Sequence, residues 1–441
     1  MKPDAIAIPL WRQLQTTALV IGAVRSGVSG TAALDDVNSA LKPGVQALSF
    51  HVWRKLGRAE ALRDLLVQRR PTPKTDAILC VALALLWDDR HQTYDSFTLV
   101  NQTVEAIKRS NGLAPQANFV NACLRRFLRE RSALVAQTDS NLVARWNHPL
   151  WWIQRLQHQR PNDWENLLEA ANAHAPMTLR ANVRNVEPAE YLAVLDAHGI
   201  SATLHDGGAI VLGSPVPVQM LPGFALGHVS VQDSAAQRAA PLLLSMFGGA
   251  RQLRVLDACA APGGKTGHLL ELIDGDVTAL EIDAERAKKI TENLQRLGLR
   301  ANVLTADAVR LNDWWDGELF DAILLDAPCT ASGITRRHPD VRWLRRSTDV
   351  GQLARQQQEL LQTLWATLKP GGRLVYCTCS IFEEEGTQQV QTFLANNTHA
   401  ALLPSPGHLM PQNGAKTPLL NDNQPGDHDG FFYALFEKRL A

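Results

Sequence analysis

From about Val229 onward, short apolar runs alternate with helix-length amphipathic stretches, and this alternation narrows the fold more than any other feature of the chain. Strands are predicted at 254–259, 277–282, 302–305, 320–325, 373–379 and 431–437. Helices at 266–273, 284–297, 351–367 and 383–396 fill most of the intervals. Such spacing builds a doubly wound α/β (Rossmann-like) sheet, mostly parallel, with helices on both faces. The last run, Phe431-Phe-Tyr-Ala-Leu-Phe436, follows a Pro/Asn/Gly-rich stretch instead of a helix, which predicts a strand returning antiparallel at one edge.

At 441 residues the chain is long enough for two or three domains. Residues 1–144 read as all-helical. In Asn118–Arg131, the residues Val120, Cys123, Leu124, Phe127 and Leu128 share one face by helical spacing, with Asn118, Asn121, Arg125, Arg126 and Arg129 opposite. That polar face is either simply solvated or turned toward RNA. Residues 145–228 carry tryptophans 151, 152 and 164 on helix, then a strand (Met177–Val183) and a helix (Pro188–His198). Two more strands (Ser201–Leu204, Ala209–Leu212) flank Gly207-Gly208, a hairpin signal. A small α+β RNA-binding subdomain is expected there, with Arg180 and Asn182 pointing the same way along its first strand. Residues 229–441 form the third expected domain.

Bulk composition excludes a few classes. Lys+Arg and Asp+Glu are both 44, so net charge argues neither for nor against a polyanionic partner. The six cysteines are scattered, which favours reduced thiols in a cytoplasmic protein over a disulfide framework. The longest apolar run, Ile78–Trp87, falls far short of the ~20 residues that span a bilayer. Thr16–Val24 is flanked by Arg12 and Arg25 and lacks a small-residue cleavage site, so no secretory leader is expected. A monomer without membrane attachment is the expectation.

Pro262-Gly263-Gly264 sits at the first strand-to-helix turn, where doubly wound sheets bind ligands. A P-loop needs glycine where Cys259 stands, and G-x-G-x-x-G is absent. Glu281 and Asp283 end the second strand, the usual place for a ribose-binding acid, and Asp307 follows the third, within reach of an adenine amino group. A loop without a phosphate nest, but with a ribose acid, suits S-adenosylmethionine.

Asp326 and Cys329 follow the fourth predicted strand and Cys379 ends the fifth, so all three converge on the rim that carries the loop. A loop for an electrophile beside two thiols suits methylation of a pyrimidine at carbon 5, where a thiolate adds to carbon 6 and is later expelled. Lys265 is a candidate for lowering a thiol pKa, and Asp326 for hydrogen-bonding the ring nitrogens. Cys80, Cys123 and Cys377 read as buried structural thiols. A zinc site using Cys377, Cys379, Cys329 and His338 lacks the usual ligand spacing, and no metal is expected.

The ordered motifs Val231-Gln-Asp233, Cys259-Ala260-Ala261-Pro262-Gly263-Gly264-Lys265, Asp326-Ala-Pro-Cys329, Arg336-Arg-His-Pro-Asp340, Thr378-Cys379-Ser380 and Asp429-Gly-Phe-Phe432 resemble the RNA cytosine-5 methyltransferases of the Nol1/Nop2/Sun type. The whole layout, with a NusB-like helical part resting on stretches such as Asn118–Phe127, is similar to the bacterial 16S rRNA methyltransferases of the RsmB (Fmu/Sun) group. The resemblance implies that Cys379 is the nucleophile and Cys329 helps resolve the adduct. It also implies that residues 259–265, Glu281, Asp307 and Asp326 line the cofactor. Many relatives carry Asp in place of Glu281, which leaves Asp283 as a second ribose candidate. Other RNA targets such as tRNA, a DNA cytosine-5 methyltransferase using the Pro-Cys thiol, and a non-catalytic NusB-like antitermination factor are the competing readings.

Overall fold

The structure is a computed structural model that describes residues 8–88, 93–245, 247, 252–411 and 427–440. The chain divides into two compact units, one of Met1–Asn172 with Arg337–Ser347, the other of Ala173–Arg336 with Thr348–Ala441. The Pro/Asn/Gly-rich stretch before the last strand lies mostly outside the described residues.

Among the described residues, every regular element of the first unit is helical, from Leu10–Arg25 to Trp164–Asn172. Thr16–Val24 lies within its first helix and buries Thr17, Ala18, Val20, Ile21 and Val24. Among the described residues, no helix is long and apolar enough to cross a membrane. The helix Ala117–Thr138 buries Val120, Cys123, Leu124 and Phe127 and leaves Arg125, Arg126 and Arg129 exposed, the division that the 3.6-residue period dictates. The tryptophan-bearing region is two helices, Leu150–Gln159 and Trp164–Asn172, because Pro161 cannot continue the first. Arg337–Ser347 returns to this unit. Asp340 accepts from the Gly30 N–H (2.9 Å), Arg342 donates to the Ala171 carbonyl (2.6 Å) and Trp343 to the Trp53 carbonyl (2.8 Å).

The second unit contains two sheets. The smaller is antiparallel, in the order β2-β3-β1-β4, from β1 (Thr178–Ala181), β2 (Ala202–Leu204), β3 (Ala209–Leu212) and β4 (Val229–Val231). Gly207 and Gly208 turn β2 into β3 with φ of 79° and 83°, values that exclude most side chains. The larger sheet runs in the order β10-β11-β9-β8-β5-β6-β7. Its parallel strands are β5 (Arg254–Ala258), β6 (Asp276–Glu281), β7 (Asn302–Thr305), β8 (Phe320–Asp326) and β9 (Leu368–Thr378). Helices Gly264–Leu272, Ala284–Leu297, Ser347–Ala366 and Thr387–Asn396 fill the predicted intervals. The stretch expected to be helical from residue 383 opens instead with a short 3-10 turn, Glu383–Glu385.

One expectation of topology changes. The last strand, β11 (Phe431–Lys438), is antiparallel but lies inside the sheet, between β9 and β10 (Ala400–Leu409). The edge belongs to β10, where Pro404 and Pro406 are tolerated because one side of the strand needs no ladder donors.

Candidate active site at the sheet rim

Strand β5 ends at Ala258, and the chain turns sharply through Cys259, a non-glycine residue with φ 61°. The Ala261–Pro262 bond is cis. Gly263 has φ 94°, and a Cβ there would lie 3.1 Å from the Ile290 Cα. Its glycine therefore serves conformation and packing against helix Ala284–Leu297. Gly264 is the open position, for a Cβ there would find only the Gln232 amide nitrogen, at 3.7 Å.

Arg180 supports this loop from β1. Its guanidinium bonds Glu271 twice (2.7 and 2.9 Å) and donates to the Gly264 carbonyl (3.0 Å). Arg180 and Asn182 are both buried, so neither forms an exposed RNA surface. The alternation along the strand and the helix at 266–273 were legible, but that this helix, Gly264–Leu272, covers Arg180 was not.

Glu281, at the end of β6, is buried and accepts from the Ala261 N–H (3.3 Å) and the Asp283 N–H (3.2 Å). Asp283 is the N-cap of helix Ala284–Leu297, accepting from Glu285 and Arg286 N–H groups at 2.8 and 3.0 Å. Asp307 lies beyond β7 and takes the Val309 N–H (3.2 Å). These three acids follow adjacent parallel strands on the loop's rim, with the Ala306 N–H bonded to the Glu281 carbonyl (3.1 Å).

Lys265 reaches from the loop to Asp326, with Nζ 2.6 Å from Oδ2. Burial alone would lower the lysine's pKa, but Asp326, followed by Cys377 and Cys379, raises it overall, so the cation persists. The other Asp326 oxygen accepts from the Cys377 thiol (3.5 Å), so this residue, expected to be purely structural, also touches the site. Burial pushes the Cys377 and Cys259 thiols up, with Asp326 adding to both. Asp257, in β5, was not singled out in the sequence. It is fully buried, accepts from the Thr266 hydroxyl (2.6 Å), and is pushed up to about 7 chiefly by burial.

Cys329 and Cys379 meet with their sulfurs 3.4 Å apart. The hydrogen bond that the Cys329 S–H donates to the Cys379 sulfur, then burial, drives the Cys329 pKa well above its ordinary value, so at neutral pH Cys329 is a thiol. All six cysteines are free. Beside them Arg336 is fully buried and bonds Asp429 and Asp427, and the Asp429 N–H donates to Asp233 (3.1 Å). Three of the sequence motifs are thereby tied to one guanidinium. The sequence-derived candidates thus form two clusters on one rim, bridged by Lys265–Asp326.

A mostly parallel seven-stranded sheet with a glycine-bearing turn after its first parallel strand and an acid ending the next defines the Rossmann-like methyltransferase class. Comparison with known proteins goes further. Residues 249–437 match the family model described as 16S rRNA methyltransferase RsmB/F, and residues 148–219 the ferredoxin-like domain of the RsmF/B-like methyltransferases. Ribosomal RNA small subunit methyltransferase B of Vibrio vulnificus is 39% identical, over 94% of this chain and 96% of that protein. The Vibrio cholerae protein of the same name is 40% identical, over 90% and 89%. The crystal structure of PH0851 superposes with a TM-score of 0.75 at 25% identity, covering 98% of this chain and 100% of that one. The chain belongs to the RsmB/F family of rRNA methyltransferases, enzymes that use S-adenosylmethionine.

The residues present fit that cofactor. A side chain at Gly264 would meet only the Gln232 amide nitrogen, Lys265 is committed to Asp326 rather than to a phosphate, and buried Glu281 ends the neighbouring strand.

Proposed function

We propose that this chain methylates carbon 5 of a cytosine in 16S rRNA, with Cys379 as nucleophile and Cys329 as the residue that assists release. The 3.4 Å approach of the two sulfurs, beside the Lys265–Asp326 pair, is the observation that carries this reading. The name shared by the curated relatives supports the small-subunit rRNA target. The exposed arginines of helix Ala117–Thr138 are assigned to RNA contact, as a basic surface suits the phosphate backbone.

S-adenosylmethionine, when bound, supplies the methyl group as an electrophile. Residues 259–265 would hold it by their main chain, Glu281 would take the ribose and Asp307 the adenine. Asp283 is set aside because it caps a helix. The target cytosine leaves its stack to reach the rim, at a cost of a few kcal/mol that is smallest in unpaired RNA. Cys379 attacks carbon 6 as a thiolate, favoured by the Lys265 cation, while Asp326 hydrogen-bonds the ring. Cys329 is kept as a thiol chiefly by Cys379. Once the Cys379 sulfur is bonded to carbon, that restraint is gone; Cys329, having lost its proton to solvent, takes the carbon-5 proton as the bond between carbon 6 and sulfur breaks and Cys379 departs as a thiolate.

Variants of the two thiols test the assignment. Cys329→Ala should attack and methylate but stall as a covalent protein–RNA complex, seen as a denaturation-resistant band. Cys379→Ala should give neither product nor complex. Accumulation of the complex in Cys379→Ala would reverse the roles, and full activity in both variants would refute the mechanism.

A further inference from the structure

We propose that Glu385 is a positioning residue that sets the relation of Cys329 to Cys379, an inference that rests on the thiol chemistry proposed above. Glu385 belongs to neither thiol motif, yet it is fully buried between the loops that carry them. One carboxylate oxygen accepts from the Thr330 N–H (2.8 Å) and the Gln357 amide (3.2 Å). The other accepts from the hydroxyls of Thr330 (2.5 Å) and Ser380 (2.6 Å). Thr330 follows Cys329 and Ser380 follows Cys379, so a single side chain spans the residues adjoining both thiols.

An ionised carboxylate offers about four acceptor sites, and these four donors fill them. Both ends of the brace are themselves fixed. Gln357 also donates to the Pro328 carbonyl (2.9 Å), on the other side of Cys329. The Ser380 hydroxyl also meets the Ser332 hydroxyl (2.9 Å), and the Gly333 N–H donates to the Cys379 carbonyl (2.9 Å). The Glu385 carbonyl accepts from Tyr376 (2.8 Å) and Thr378 (3.1 Å), which fastens the turn bearing Glu385 to β9 just before Cys379. A carboxylate is suited to this place because it accepts from every side at once, whereas an apolar residue would leave buried donors unmatched.

The geometry also predicts which replacement works. In Glu385→Gln, the amide oxygen can keep the Thr330 and Gln357 N–H donors. The amide nitrogen can face the two hydroxyls, which rotate to accept. Glu385→Asp, one methylene shorter, reaches only one loop, and Glu385→Ala reaches neither.

The test measures single-turnover formation of 5-methylcytosine in rRNA transcript, on variants shown by circular dichroism to be folded and by calorimetry to bind S-adenosylmethionine within about twofold of the parent. Glu385→Asp and Glu385→Ala should lose on the order of 100-fold in rate with RNA affinity nearly unchanged, and Glu385→Gln should recover to within about tenfold of the parent. Should Glu385→Ala not fold, the double variant Thr330→Val with Ser380→Ala removes the same hydroxyl donors and should show the same loss. Parental rates in a folded Glu385→Ala or in the double variant would overturn the proposal, as would loss in Glu385→Gln equal to that in Glu385→Ala. If the parent itself makes no 5-methylcytosine, the proposed function fails instead. The brace is then read from iodoacetamide labelling of Cys379, whose rate should change at least threefold in Glu385→Asp, and an unchanged rate would overturn it.

Discussion

The two halves of the rim are held by different means. Around residues 259–265 the backbone does the positioning, through left-handed Cys259 and Gly263, a helix start, and one arginine on a carbonyl. Around the thiols the chain is pinned by side chains, with Glu385, Gln357 and Ser380 joining two strand ends. The contrast matches the tasks proposed for each. A cofactor bound in one pose is served by a fixed main-chain cradle, whereas two thiols that trade a proton and a carbon bond need hydroxyls and carboxylates able to redistribute donors.

The most severe way to break the backbone half is Gly263→Val. A β-branched residue at φ 94° would also drive its Cβ into Ile290, and cofactor affinity by calorimetry should fall at least 100-fold. Parental affinity would show that the loop tolerates another conformation. Next in size is Arg180→Ala, which strands Glu271 as a buried carboxylate and should cost about 3–5 kcal/mol in denaturant unfolding. A loss below 1 kcal/mol would mean that Gly264 and Glu271 do not depend on it.

Asp257 sharpens the comparison through pH. Its folded pKa, about 7, lies above the ordinary unfolded value of ~3.9, so the folded state holds the extra proton between these limits. Stability therefore falls as pH rises through roughly 4 to 7 and levels off above, by at most about 4 kcal/mol from this group. Asp257→Asn should remove that slope, gaining on the parent between pH 5 and pH 8 in urea melts. An unchanged difference at the two pH values would contradict it. The smallest effect belongs to Asp283→Ala, which loses a helix cap worth about 1 kcal/mol. Its cofactor affinity should stay within twofold, and a tenfold loss would return Asp283 to the ribose.

Legibility followed the same division. Parallel strands buried on both faces appear as plain apolar runs, and the turn after the first carried its own glycines, so β5, β6, β8, β9 and the loop were readable. Strand β10 was not, because Ala400–Leu409 contains Pro404, Pro406 and Gly407 and alternates exposure as an edge strand does. Its presence is what moved β11 from the edge to the interior. Glu385 was hidden in the run Glu383-Glu384-Glu385, which reads as a solvated acidic patch, and only the fold sends the third member inward. The available signal lay elsewhere, in Thr330 and Ser380, hydroxyl residues each placed directly after a thiol and in need of an acceptor. Arg180 misled for a related reason, since period-two alternation tells which residues share a face but not what covers it.

The place of β11 gives the molecule a built-in order of assembly in time. This strand leaves the ribosome after every other strand of the sheet, yet it fills the slot between β9 and β10 and brings Asp429 to Arg336. Until it arrives, β10 has no neighbour to pair with, and an interior guanidinium lacks its main counter-charge. A partly synthesised chain thus carries both thiols and the glycine loop but cannot close its rim.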